Sequence, residues 1–269
     1  MRMPLTLVTD QPARAPRTAG ASGGRTLVFN FDEDVEGTDQ RAPSVSPAQQ
    51  ENFAALFWRE IENLDKWAAQ AKWFPPSPFP KLEIFVSGKY RFAQSLRPQW
   101  TGKTGHMEFP AFRVATGEAN VLHELVHVYF PNANRMLAEG LAVHLQQEIG
   151  ANRSFPNFGE DLHRLARIKL EAMLKLTLRD VQLDTLAQIT TPSRLMCRIG
   201  RSTVDGAWPY ILAGSFVRFL IESHGLGKFH DLYLRTPLVP LQRNEGDPDR
   251  WREIYGFSLA DLDLQWKSA

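Results

Sequence analysis

This chain is poor in cysteine, in excess charge of either sign and in long apolar runs, and each shortage removes a class of function. It has one cysteine, Cys197. An intramolecular disulfide and a cysteine zinc cluster are therefore both excluded. That thiol reads as a small, partly buried apolar side chain, in keeping with a reducing compartment. Lysine and arginine number 31 against 30 aspartates and glutamates. Such a balance gives no electrostatic case for nucleic acid or an anionic membrane as main partner. No apolar stretch approaches the ~20 residues a membrane helix needs. The N-terminal MRMPLTLVTD has too short an apolar part for a signal peptide, and Asp10 interrupts it. The expected location is the cytoplasm, by default.

What remains is a chain of 269 residues, 43% of them hydrophobic, enough to bury a core in one large domain or two small ones. Residues 10–24, rich in Pro, Ala, Gly and Ser, read as part of a flexible N-terminal arm spanning 1–24. RTLVFNF (25–31) reads as a strand. Ser46-Pro47 is a helix start, an N-cap followed by proline at the first helical position. From Pro47 to about Lys72, Phe53, Leu56, Phe57, Ile61, Leu64 and Ala68 recur at three- and four-residue steps on one face. KLEIFVS (81–87), apolar at its centre, reads as a central strand. GHMEFPAFRVA (105–115) alternates, but Pro110 lies inside it, which argues for a sheet edge or a bulge. Two helices follow, one ending near Phe130 before Pro131 and one over about 134–147. From 151 to the end the spacing is mainly helical.

The chemistry is concentrated in VLHELVHVYF, 121–130. His123 and His127 are one helical turn apart and share a face, so two imidazoles can reach one metal ion. Glu124 is rotated about 100° from His123; it can approach a metal-bound water without ligating the metal. This spacing arises by chance in on the order of 1% of chains this long, so its surroundings matter. The flanking residues are apolar, as a buried helix requires. The competing reading is a core helix with two satisfied histidines.

A catalytic zinc needs a third protein ligand and an open position. Glycine and histidine three and six residues after His127 would suit one known pattern, but Phe130 and Ala133 stand there. The following helix, MLAEGLAVHL, offers Glu139 among Ala138, Gly140 and Ala142, small residues that let two helices approach closely. His144 and Glu148, four apart on the same helix, are rival ligands or an ordinary i,i+4 pair. His106, His163, His224 and His230 have no partner spacing.

HELVH followed by LAEGLAVHL resembles the gluzincin zinc metallopeptidases, the thermolysin-like zincins, and among them the peptidase-MA-like group. LEIFVS then YRFAQSL resembles that group's strand and following helix, and AWPYILAGSFVRFLIESHGLGKFHDLY and GFSLADLDLQW are similar to further segments, over roughly residues 25–269. Met136 stands where the group's signature often has tryptophan. The resemblance implies an α+β, zincin-like fold: a small mixed sheet with an edge strand plus the active-site helix, then a mainly helical C-terminal subdomain. The corresponding division is an α/β part over 25–150 and a helical part over 151–269. It also implies one Zn2+ per chain on His123, His127 and Glu139, with Glu124 as general base and Tyr210 donating to the oxyanion. Its implied substrate is a peptide or protein that adds as a strand to the edge around Glu108, Phe109 and Phe112. The implied activity is hydrolysis of peptide bonds by a Glu-activated, zinc-bound water. A zincin-fold binding module without turnover, and a zinc hydrolase of non-peptide amides, stand as alternatives.

Overall fold

A computed structural model describes residues 6–7, 17–22, 24–32, 45–73, 81–96, 105–132, 134–175, 203–236 and 249–269. Cys197 lies outside them. The fold is mixed α and β: one small sheet, with a mostly helical remainder. Packing divides the chain into two compact units, Met1–Asp65 with Pro75–Tyr129, and Lys66–Phe74 with Phe130–Ala269.

The first unit holds the sheet. Its strands are β1 (Thr6–Leu7), β2 (Arg17–Ser22), β3 (Arg25–Phe31), β4 (Lys81–Ser87), β5 (Gln94–Leu96) and β6 (His106–Pro110), in the order β1-β2-β3-β4-β6-β5. β3, β4 and β6 run parallel, and β5 closes one side antiparallel to β6. The period of two places Leu27, Phe29 and Phe31, Leu82, Ile84 and Val86, and Met107 and Phe109 on one fully buried face. Helix α1 (Pro47–Ala71) covers that face with Phe53 and Phe57. Their rings meet Phe109 edge-on at centroid separations of 5.3 and 5.6 Å, a favoured aromatic geometry. Ser46 caps the helix reciprocally with Gln49, as the Ser-Pro signal predicts. β4 is central, also as predicted.

Three expectations need correction. YRFAQSL, expected as a helix from the resemblance, carries strand β5 instead, paired with β6. The stretch read as a flexible arm contributes β1 and β2, and β2 pairs antiparallel with β3 from Arg25 to Asn30. The connection closes at Ser22↔Arg25, with Gly24 at φ 78°, a left-handed conformation that suits glycine in a tight hairpin. Strand 106–110 is also not an edge. Glu108 pairs with Phe85 on one side and Gln94 on the other, leaving β5 as the edge among the described residues. Pro110 is tolerated because it stands at the strand's end, beyond the register of β5, and leads straight into helix α2 (Ala111–Ala115).

α3 (Val121–Tyr129) belongs to the first unit and is buried at every position except Val128. The second unit contains α4 (Arg135–Ile149), α5 (Leu162–Lys175), α6 (Thr203–His224), α7 (Leu226–Leu234), α8 (Arg250–Tyr255) and α9 (Leu259–Ser268). α4 and α6 pack through glycines. A Cβ on Gly140 would meet the Val217 side chain and come 2.7 Å from the Ala213 carbonyl oxygen; one on Gly214 would come 2.6 Å from Val143. Phe216 of α6 packs on Trp251 and Trp266 at 6.3 and 5.7 Å. No described helix is long and apolar enough to cross a membrane.

Candidate metal centre

Helix α3 is apolar nearly all round, which buries it, and Pro131 limits its length. The turn after it is fixed by side chains of the second unit. The Tyr233 hydroxyl donates to the Phe130 carbonyl at 2.7 Å, and Asn132 donates to the Tyr233 carbonyl at 2.9 Å. Asn134 then caps α4 by accepting from the Leu137 N–H at 3.1 Å. α4 ends at Gly150, at φ −65° rather than in a left-handed turn; glycine is required because a Cβ would strike the Gln146 carbonyl.

His123 and His127 are 3% and 8% exposed. Their Nε2 atoms are 3.3 Å apart and their rings lie 85° to one another. Two imidazole nitrogens on one tetrahedral zinc, each about 2.0–2.1 Å from it, stand about 3.3 Å apart. The histidine pair therefore has the separation that one ion demands. Glu139 is 3% exposed, on an α4 surface whose neighbours Ala138 and Ala142 are fully buried. One ligand atom from each of His123, His127 and Glu139 falls within 4.8 Å of the others, so the three form a group that could hold a metal. Two neutral imidazoles and one carboxylate suit zinc in kind.

Glu124 is 3% exposed. A buried carboxylate is costly unless donors meet it, and here each oxygen has one. Asn120 Nδ2 donates to Oε1 at 3.1 Å, and the Ser95 hydroxyl lies 3.0 Å from Oε2. The same hydroxyl is 2.8 Å from the Glu124 backbone carbonyl. Neither residue was singled out in the sequence. Asn120 stands four residues before Glu124, a spacing that could have flagged it. Ser95 is 29 residues away, and only the sheet brings it there.

The remaining expected residues are placed as follows. Tyr210 is 9% exposed and lies edge-on to Phe155 at 5.4 Å. Glu108 accepts from Gln94 at 2.5 Å and sits 3.2 Å from His106 Nε2. Burial and Glu108 push the nearby Tyr90 hydroxyl up to about 12. The Phe109 side chain is fully buried, whereas Phe112 on α2 is 40% exposed. His144 and Glu148 form the i,i+4 pair, 3.0 Å apart, and the hydrogen bond from His144 holds the Glu148 carboxyl low. Of the other histidines, His106 stacks on Phe85 and His230 packs on Trp73.

Neither known protein families nor curated proteins give a match to this chain. Among solved structures, a two-domain M1 zinc metallopeptidase (an E323A mutant bound to L-tryptophan) is similar over 98% of this chain, at 14% identity and a TM-score of 0.43. This chain spans 59% of that one's length. So remote a likeness carries no argument about function.

Proposed function

We propose that this chain is a zinc-dependent peptidase with a zincin-like fold, acting on a peptide or protein. The observation that carries the reading is the 3.3 Å approach of the two buried Nε2 atoms; Glu124, next along the helix, is bonded by Ser95 and Asn120. His123, His127 and Glu139 would hold one zinc per chain. When bound, that ion would polarise the scissile carbonyl and make water acidic enough to lose a proton near neutral pH.

Glu124 is the base. It accepts the proton of the attacking water as that oxygen adds to the carbonyl carbon. It then delivers the proton to the departing nitrogen as the C–N bond breaks, leaving a carboxylic acid and an amine, between which the remaining water proton passes to give carboxylate and ammonium. Tyr210 is the proposed donor to the developing oxyanion. The substrate adds as a strand to the free side of β5, since β5 already pairs with His106–Glu108. Phe112, exposed on α2, is the proposed apolar contact. A purely structural ion would not explain a buried carboxylate with a donor on each oxygen at the next position along the helix.

The test is metal removal and return. Chelation should abolish hydrolysis of a fluorogenic peptide pool, and stoichiometric zinc should restore it. A chelated protein with undiminished hydrolysis would contradict the reading.

A further inference from the structure

The peptidase reading assigns Glu124 its task but gives the two side chains bonded to it none. The Ser95 hydroxyl has a single proton and, among the described residues, two acceptors in reach, both on Glu124: the backbone carbonyl at 2.8 Å and Oε2 at 3.0 Å. The donor comes from β5, the edge strand, and from a residue in the middle of its three-residue register with β6. Asn120 holds the other carboxylate oxygen from the residue just before α3, at 3.1 Å, and the Asn120 carbonyl accepts the Glu124 N–H at 3.2 Å.

We infer that Ser95 and Asn120 are positioning residues for the base, and that the Ser95 proton toggles between the two acceptors. This inference rests on the peptidase reading above. With the proton on Oε2, both carboxylate oxygens are engaged and the base is held still. With the proton on the backbone carbonyl, Oε2 is open to accept from water, while Asn120 keeps the carboxylate aimed. The serine thereby ties the strand where substrate is proposed to dock to the group that performs the chemistry. A peptide pairing along β5 bears directly on the backbone that carries this hydroxyl. Neither Ser95 nor Asn120 belongs to the group that could hold the metal, so their loss acts on the carboxylate and not on zinc.

The experiment has two arms. The first is a thermal double-mutant cycle on the metal-free protein, using Ser95→Ala, Glu124→Ala and the double variant. A hydrogen bond between the two makes the melting losses non-additive, by roughly 2 °C or more for a chain of this size. Additive losses overturn the contact.

The second arm uses the zinc-loaded protein and a single fluorogenic peptide selected from a randomised pool. Ser95→Ala and Asn120→Ala should lower kcat about 10- to 100-fold, with KM and zinc affinity unchanged within about threefold. Ser95→Thr, which keeps the hydroxyl, should restore most of the rate. A coupled melting cycle with unchanged kcat overturns the positioning role and leaves the peptidase reading standing. Wild-type protein that takes up no zinc and cleaves nothing overturns both, whatever the melting cycle gives.

Discussion

The Nε2 atoms of His123 and His127 stand 3.3 Å apart inside a helix buried at eight of its nine positions. At that separation, with one ring carrying its proton on Nε2, the pair is a hydrogen bond. With both Nε2 atoms bare, two lone pairs face one point. Zinc binding at both Nε2 atoms would require each ring to carry its single proton on Nδ1, so ligation asks of the pair a change of tautomer rather than a loss of charge.

Glu124→Gln keeps the size and both hydrogen-bonding neighbours of the base but cannot take a proton. It should retain one zinc per chain and lower kcat by about 10² to 10⁴-fold. Tyr210→Phe should lower kcat by about 10²-fold with KM little changed. Steady-state kinetics with metal analysis on the same samples checks both. Undiminished turnover in the glutamine variant removes Glu124 from the mechanism.

The docking edge is checked by backbone hydrogen exchange. A peptide held on the Glu124→Gln protein should slow exchange at or beside residues 94–96, since β5 is the edge among the described strands. Slowing confined to 106–108 would mean that the substrate displaces β5 rather than adding to it.

Gly140→Ala places a methyl against the Val217 side chain and the Ala213 carbonyl. The carbonyl is backbone and cannot rotate away, so α4 and α6 must separate. The expected cost is about 1–3 kcal/mol, read as a melting temperature lowered by several degrees. Gly227 has nothing near its Cβ position, and alanine there should be close to neutral.

Stability should fall with acid in two stages. His163 Nδ1 contacts Ser215 Oγ at 2.8 Å, and Trp266 donates to the same oxygen at 3.0 Å. Burial and then Arg218 hold His163 below its ordinary 6.5, against the opposing pull of Glu222 and Asp161. A histidine lowered on folding binds fewer protons than in the unfolded chain, so its contribution is present above 6.5 and lost as pH falls below it. Burial alone would raise Asp161 and Glu222, but their hydrogen bonds and Arg218 outweigh it and hold both below their ordinary values. Their contribution is present above about pH 4 and is lost as pH falls further. Melting temperatures from pH 7.5 to 3 should show both stages. His163→Gln should shrink the first without removing it, because burial and Lys228 lower His224 as well.

The elements legible in the sequence are those written in local spacing. α1 follows from its apolar period and Ser46-Pro47, and α3 and α4 from their apolar faces and from Pro131 between them. The histidine spacing on α3 needed no tertiary information. What the sequence concealed is non-local. Pairing of Gln94 with Glu108 makes β5 the edge, and three residues carry too little pattern to announce a strand. The contact of Ser95 with Glu124 exists only after that strand is in place. Phe109 and Phe112 looked like one alternating strand, yet Pro110 divides them, sending Phe109 into the core and Phe112 onto a helix.

The most direct test of the central claim is zinc content after loading and exhaustive dialysis. The account predicts one zinc per chain in wild-type protein and in Glu124→Gln, and less than about a tenth of that in His123→Ala, His127→Ala and Glu139→Ala. Wild-type protein that keeps no zinc, or a Glu139→Ala variant that keeps all of it, would contradict the account.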